Sequence, residues 1–185
     1  YLSARCWDSQ PDRMVADEMT RDARAIWRNE LLSVIFDTFH DGRNGMNFST
    51  NPLGGLMDNL VTDESAVNLD WNTVWDAQTS FFEQGWMVEM MIPFKSLRFK
   101  AGGGEQTWGI NVSRRVQWKN ESSFLSPVPA SLGYRGMLQV SAAATLVGIE
   151  PPTTIRNLEI KPSAISGAFT NKTGTPIRSN DLTGE

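Results

Sequence analysis

The chain has 185 residues, 17 of them Lys or Arg and 21 Asp or Glu, for a net charge of −4. That length suits one domain and a tail, with a core large enough to stand without staples. The acidic balance argues against a nucleic-acid partner, which needs clustered Lys and Arg. The single cysteine, Cys6, excludes an intrachain disulfide and a Cys-based zinc site.

Tyr1–Trp7 reads as a strand with Leu2, Ala4 and Cys6 on one face. No start Met or leader precedes it, so a longer exported protein is expected. Gln10-Pro11-Asp12 is a breaker, and Met14–Met19 is expected to form a short helical turn with Ser9 near its N-cap. Glu30–Phe39 is apolar on both parities and reads as a central strand. The run His40 to Gly45 is a hairpin turn, and the chain returns through Met46–Asn51. Met57–Thr62 is the next strand, followed by a polar, acidic loop over Asp63–Asn72. Trp75–Phe82 and Trp86–Ile92 form a hairpin around Glu83-Gln84-Gly85. Pro93–Leu97 is one helical turn, with Pro at its start. After a Gly-rich loop, Gln106–Val116 alternates as a long strand, and Gly136–Val147 is expected to add one or two more. Such a series of short strands predicts an all-β antiparallel sandwich with short helical turns. Glu150-Pro151-Pro152 marks a boundary. Residues 1–150 are expected to form the sandwich, and 151–185 a linker and the start of a second domain. No stretch approaches the roughly 20 apolar residues of a membrane helix.

Seven Trp need core or ligand. Trp86 shares its parity with Val88, Met90 and Ile92, and Trp108 with Ile110 and Val112; both are expected in the core. Trp7 shares its parity with Arg5 and Ser3 and is expected on an open face or rim. Trp71 (beside Asp70 and Asn72), Trp118 (near Asn120) and Trp27 sit among polar side chains in loop-like surroundings. Sugar rings present apolar C–H faces between hydroxyls, and their sites pair flat aromatics with such hydrogen-bonding neighbours. Trp71, Trp118, Trp27, Asn72 and Asn120 are therefore the candidate carbohydrate contacts. The alternative is that these indoles cap the open end of the sandwich.

Asp58, Asp63, Glu64, Asp70 and Asp76 lie in one stretch without Lys or Arg. Asp37 and Asp41 flank the first hairpin tip. Oxygen donors of this kind suit calcium, for which Asp37, Asp41 and Asp70 are the candidate ligands. No EF-hand spacing occurs, and solvated loops and turn-stabilising Asp are the alternatives. His40 is the only histidine, and no G-x-S-x-G, H-E-x-x-H or phosphate-loop motif is present. No catalytic residue is assigned. Arg114 and Arg115 end a strand on opposite faces, one toward a carboxylate and one toward solvent.

Several blocks occur in order: Arg5-Cys6-Trp7-Asp8-Ser9, Phe36-Asp37-Thr38-Phe39-His40-Asp41, Phe48-Ser49-Thr50-Asn51-Pro52-Leu53-Gly54 and Trp71-Asn72-Thr73-Val74-Trp75-Asp76. Gly85-Trp86, Ile92-Pro93-Phe94-Lys95-Ser96-Leu97-Arg98-Phe99, Gln106-Thr107-Trp108-Gly109-Ile110-Asn111 and Ser113-Arg114-Arg115 follow. From Tyr1 to Gly148 the chain resembles the family 9-like carbohydrate-binding domain at the N-terminus of bacterial proteins of poorly known function. In those proteins an outer-membrane β-barrel comes next. The resemblance implies a jelly-roll-like sandwich at the periplasmic face or cell surface, engaging a glycan or polysaccharide and linked to polysaccharide catabolism, with Ile160–Phe169 entering the barrel. It also implies that the family's first strand lies upstream. Family 9 modules of xylanases hold sugar ends between two Trp and carry calcium; neither Trp of that clamp aligns to a position here. A structural or gating module for the barrel, and a glycoside hydrolase, are the alternative expectations.

Overall fold

The structure is a computed structural model that describes residues 1–102 and 104–152, and the backbone of 164–168 and 180–184. The chain divides into two units, Tyr1–Ile155 and Arg156–Glu185. The first contains ten strands: β1 (Leu2–Trp7), β2 (Leu31–Asp37), β3 (Gly45–Thr50), β4 (Leu56–Thr62), β5 (Ala66–Asn68), β6 (Asp76–Phe82), β7 (Gly85–Met91), β8 (Gln106–Val116), β9 (Glu121–Phe124) and β10 (Ala144–Ile149). In the second, β11 (Ala164–Ala168) pairs antiparallel with β12 (Asn180–Gly184). Apart from those strands, the linker and barrel entry expected beyond Pro152 lie outside the described residues.

The all-β sandwich read from the sequence is the fold observed. A small sheet has the order β1-β7-β6; a larger one has the order β10-β8-β2-β3-β4-β5, with β9 beside β8. Every pairing is antiparallel. The chain crosses between the sheets three times, from β1 to β2, from β5 to β6 and from β7 to β8. Each sheet turns its apolar parity inward, so side chains of the two interdigitate. Cys6, Trp86, Val88 and Met90 of the small sheet meet Leu32, Val34, Met46, Phe48 and Trp108 of the large one. Trp86 is fully buried, and Trp108 stacks edge-on with Phe36 and Phe94. Truncating either indole removes a large part of this core, at a cost of about 3–5 kcal/mol.

Gly85 shows why one hairpin residue is fixed. Its φ is +149°, and a Cβ there would lie 2.0 Å from the Cys6 carbonyl oxygen. Only a residue without a side chain lets β1 run against the start of β7.

Three segments differ from the sequence reading. Met14–Met19 is not helical; the helical turns fall on either side, at Pro11–Arg13 and Arg24–Arg28. Asn29 explains this: its Oδ1 accepts the N–H groups of Asp17 and Glu18, and the Val15 carbonyl accepts from the Glu30 N–H. Backbone groups held by a distant side chain are unavailable for a local helix. Within the acidic loop, Ala66–Asn68 pairs with β4 as a short edge strand. In Gly136–Val147 only β10 is a strand. Residues 130–142 form helical turns instead, because Met137 and Val140 drop onto Ile35 and Val61 on the outside of the large sheet.

Candidate functional site

Strand β2 has inward Leu32, Val34 and Phe36, as a sandwich requires. Its outward residues, Leu31, Ser33 and Ile35, are also buried. Two covers account for this. At one end the Arg24–Arg28 turn packs Ile26 and Trp27 on Leu31 and Met57. At the other, Met137 and Val140 cover Ile35 and Val61. Between these two apolar patches runs a polar strip set by the register. Ser113 lies opposite Ser33, Ser33 opposite Ser49, and Asn47 opposite Asn59.

The strip is the floor of a cleft of about 430 Å³, within the roughly 300–1,000 Å³ usual for small-ligand sites. Ser33, Asn47, Asn59 and Ser113 form its polar floor, and Leu31 and Met137 are its buried apolar members. Trp27 and Tyr134 line it as aromatic walls, and Arg115 and Arg135 add charge. A neighbouring depression of about 480 Å³ shares Arg115, Ser122, Phe124 and Tyr134, and includes Asn120 and Glu121. Among the described residues no Asp or Glu lines the cleft itself.

The floor is only partly satisfied. The Ser33 and Ser49 hydroxyls meet at 2.7 Å, and Asn47 Nδ2 donates to the Ser49 hydroxyl at 3.4 Å. The Oδ1 atoms of Asn47 and Asn59 are buried and accept no hydrogen bond among the described residues. These residues are only 3% and 1% exposed. A buried acceptor left unpaired costs about 1–3 kcal/mol, so two beside each other in a concave wall favour a ligand that donates hydrogen bonds.

Arg115 supplies the charge. Its guanidinium lies 5.4 Å from the Tyr134 ring centre, a cation–π distance. Its neighbour Arg114 points to the other face, where Nη2 lies 3.7 Å from Asp8 and Nη1 donates to the Trp7 carbonyl. The two arginines lie on opposite faces as expected and Arg114 meets the carboxylate, but Arg115, expected toward solvent, is half-buried in the cleft and has no carboxylate partner among the described residues.

Of the sequence candidates, Trp27 lines the cleft and Asn120 the adjoining depression. The other three lie elsewhere. Trp71 packs edge-on against core Phe48, 5.9 Å between ring centres. Asn72 accepts from Arg21 and donates to Asp22, so it is spent on structure. Trp118 donates to Asp8 at 3.1 Å and is flanked by Arg13 and Lys119, at 4.4 and 4.9 Å. Trp7, expected at a rim, is 56% exposed and meets Phe82 edge-on.

Two of the three candidate calcium ligands are engaged in the first hairpin turn. Asp37 accepts the N–H groups of Asp41 and Gly42, and Asp41 those of Arg43 and Asn44. Burial alone would raise the Asp41 carboxyl, but the Asn44 and Arg43 contacts outweigh it and hold it below the ordinary carboxylate value. Asp70 is exposed beyond β5. In the rest of the acidic stretch, Asp58 accepts from Arg21, Thr73 and Trp75, and Asp63 pairs with Arg43. Among the described residues no three His, Cys, Asp or Glu side chains cluster as a metal site.

Sequence reasoning missed Ser33, Asn47, Asn59, Arg115 and Tyr134. The available signal was the outward parity of small polar residues in strands that also carry outward apolar ones. No protein-family model matches the chain, and no curated protein matches it at a significant level.

Proposed function

We propose that the sandwich is a non-catalytic carbohydrate-binding domain, and that its site is the cleft over Asn47 and Asn59. The observation that carries this reading is the pair of buried, unpaired Oδ1 atoms on the floor, with Trp27 and Tyr134 as walls. Sugar hydroxyls donate to such acceptors, and C–H faces pack on flat rings. Glycoside hydrolysis uses two carboxylates across the sugar; a lining without Asp or Glu supports binding over cleavage. The sequence blocks quoted above support a place in an exported bacterial protein, ahead of an outer-membrane barrel, in polysaccharide catabolism.

The test is calorimetric titration of the domain with xylan, cellulose, glucan and pectin fragments, with calcium present. Binding of at least one fragment, lost in Tyr134→Ala, is the expected result. No heat from any fragment overturns the proposal. A second reading, a structural module for the barrel, draws support from the internal bonds of Trp71 and Trp118; it predicts no ligand response at all.

A further inference from the structure

We infer that the glycan taken by this cleft is acidic, a sugar bearing a carboxylate that Arg115 receives. The inference rests on the carbohydrate reading above and specifies the ligand class.

The chain is acidic overall, yet the charged residues lining the cleft are both arginines, Arg115 and Arg135. Neither forms a salt bridge among the described residues, where Arg21, Arg43 and Arg114 each do. Glu121 lines the adjoining depression, which Arg115 also lines, but forms no salt bridge with it. Arg115 is half-buried and braced on the Tyr134 ring. A guanidinium fixed on an aromatic face keeps its N–H fork free, and that planar fork matches a carboxylate through two parallel hydrogen bonds.

The polar groups are also sorted along the cleft. At β3 and β4 stand the bare acceptors of Asn47 and Asn59, which need hydroxyl donors. At β8 stands Arg115, a pure donor. Three strand spacings separate β4 from β8, roughly 14 Å, more than one pyranose ring spans. The ligand that fits has hydroxyls at one end and an anionic group at the other, as an oligosaccharide with a terminal uronic acid has. A neutral glycan would leave Arg115 without an anion, and a bare inorganic anion would leave the two asparagine oxygens unpaired.

The test is titration of the whole chain with three probes: a uronic-acid disaccharide, the neutral hexose disaccharide of the same linkage, and inorganic sulfate. Each is measured at low and high salt. The acidic disaccharide is expected to bind at least about tenfold more tightly than the neutral one, with the advantage shrinking at high salt. In Arg115→Gln the two disaccharides are expected to bind alike, and Arg115→Lys to keep part of the preference; thermal melts confirm that both variants fold. Equal binding of both disaccharides by the unaltered chain overturns the acidic-ligand inference and leaves the carbohydrate proposal standing. Sulfate binding as tightly as the acidic disaccharide overturns it in favour of a bare anion site. No binding of any probe or glycan fragment overturns both.

Discussion

The Arg115 guanidinium lies over the Tyr134 ring, 5.4 Å from its centre, and so joins strand β8 to the turns at residues 130–142 that cover the cleft. Tyr134 is 57% exposed, so it contributes little to the core. Tyr134→Ala is expected to change stability by no more than about 0.5 kcal/mol while abolishing glycan binding. A thermal melt and a titration on the same sample check both halves.

Asn51, just after β3, and Asn59, within β4, are expected to respond in opposite directions. Asn51 is fully buried and satisfied: its Nδ2 donates to Asn29 Oδ1 and the Glu18 carbonyl, and its Oδ1 accepts from Leu53 and Gly55. Asn51→Ala strands these partners and is expected to cost about 3 kcal/mol or more. Asn59 is also buried, but its Oδ1 has no partner among the described residues. Asn59→Leu is expected to leave stability unchanged or raise it by about 1 kcal/mol and to abolish ligand binding. Urea unfolding of the two variants gives the comparison.

Glu30 and Asp8 give opposite pH dependences. Glu30 is fully buried; Oε1 accepts the Gln117 N–H at 2.9 Å, and Oε2 has no partner among the described residues. Burial pushes its carboxyl above the ordinary value of 4.5, and the Gln117 bond and Arg114 only partly offset this. A carboxyl raised in the folded state favours folding most below pH 4.5, and that contribution is lost as pH rises through the raised value. Glu30→Gln is therefore expected to raise the Tm at pH 7–8, with the gain fading toward pH 4.

Burial alone would raise Asp8, but the Gln10 N–H, the Trp118 indole and Arg114 outweigh it and lower the carboxyl. Its contribution is present above the ordinary 3.8 and is lost as pH falls through the lowered value. Asp8→Asn is expected to lower the Tm at neutral pH and to matter less in acid. Melts across pH 3–8 check both signs.

Cys6 is 2% exposed, and burial pushes its thiol up to about 11. The thiolate is the reactive form. A thiol reagent at pH 8 is expected to leave the native protein unlabelled and to modify one thiol on unfolding. Labelling of the native chain at the rate of the unfolded one would contradict this.

Trp118 serves the end of the sandwich: its indole bonds Asp8 and lies between Arg13 and Lys119. Trp118→Ala is expected to lower stability by about 2–4 kcal/mol with ligand affinity unchanged. Paired melts and titrations separate this from a binding role.

What the sequence determined by itself is what a period of two can carry. Alternation placed Trp86 and Trp108 in the core, because every second side chain of a strand faces the partner sheet. The two-sided apolar run at Glu30–Phe39 marked a central strand, and Glu83-Gln84-Gly85 marked a hairpin. The tertiary structure decided the site. Trp27, Ser33, Asn47, Asn59, Arg115 and Tyr134 come from six separate elements, and only sheet register and the fold-back of residues 130–142 bring them together. In the sequence, outward Ser and Asn look like solvent-facing strand residues. They become a buried floor because Met137 and Val140, far along the chain, pack against Ile35 and Val61. The same limit explains Trp71, Asn72 and Trp118: polar neighbours in sequence suggested ligand contacts, yet in space those indoles and that amide meet Phe48, Asp8 and the Arg21–Asp22 pair.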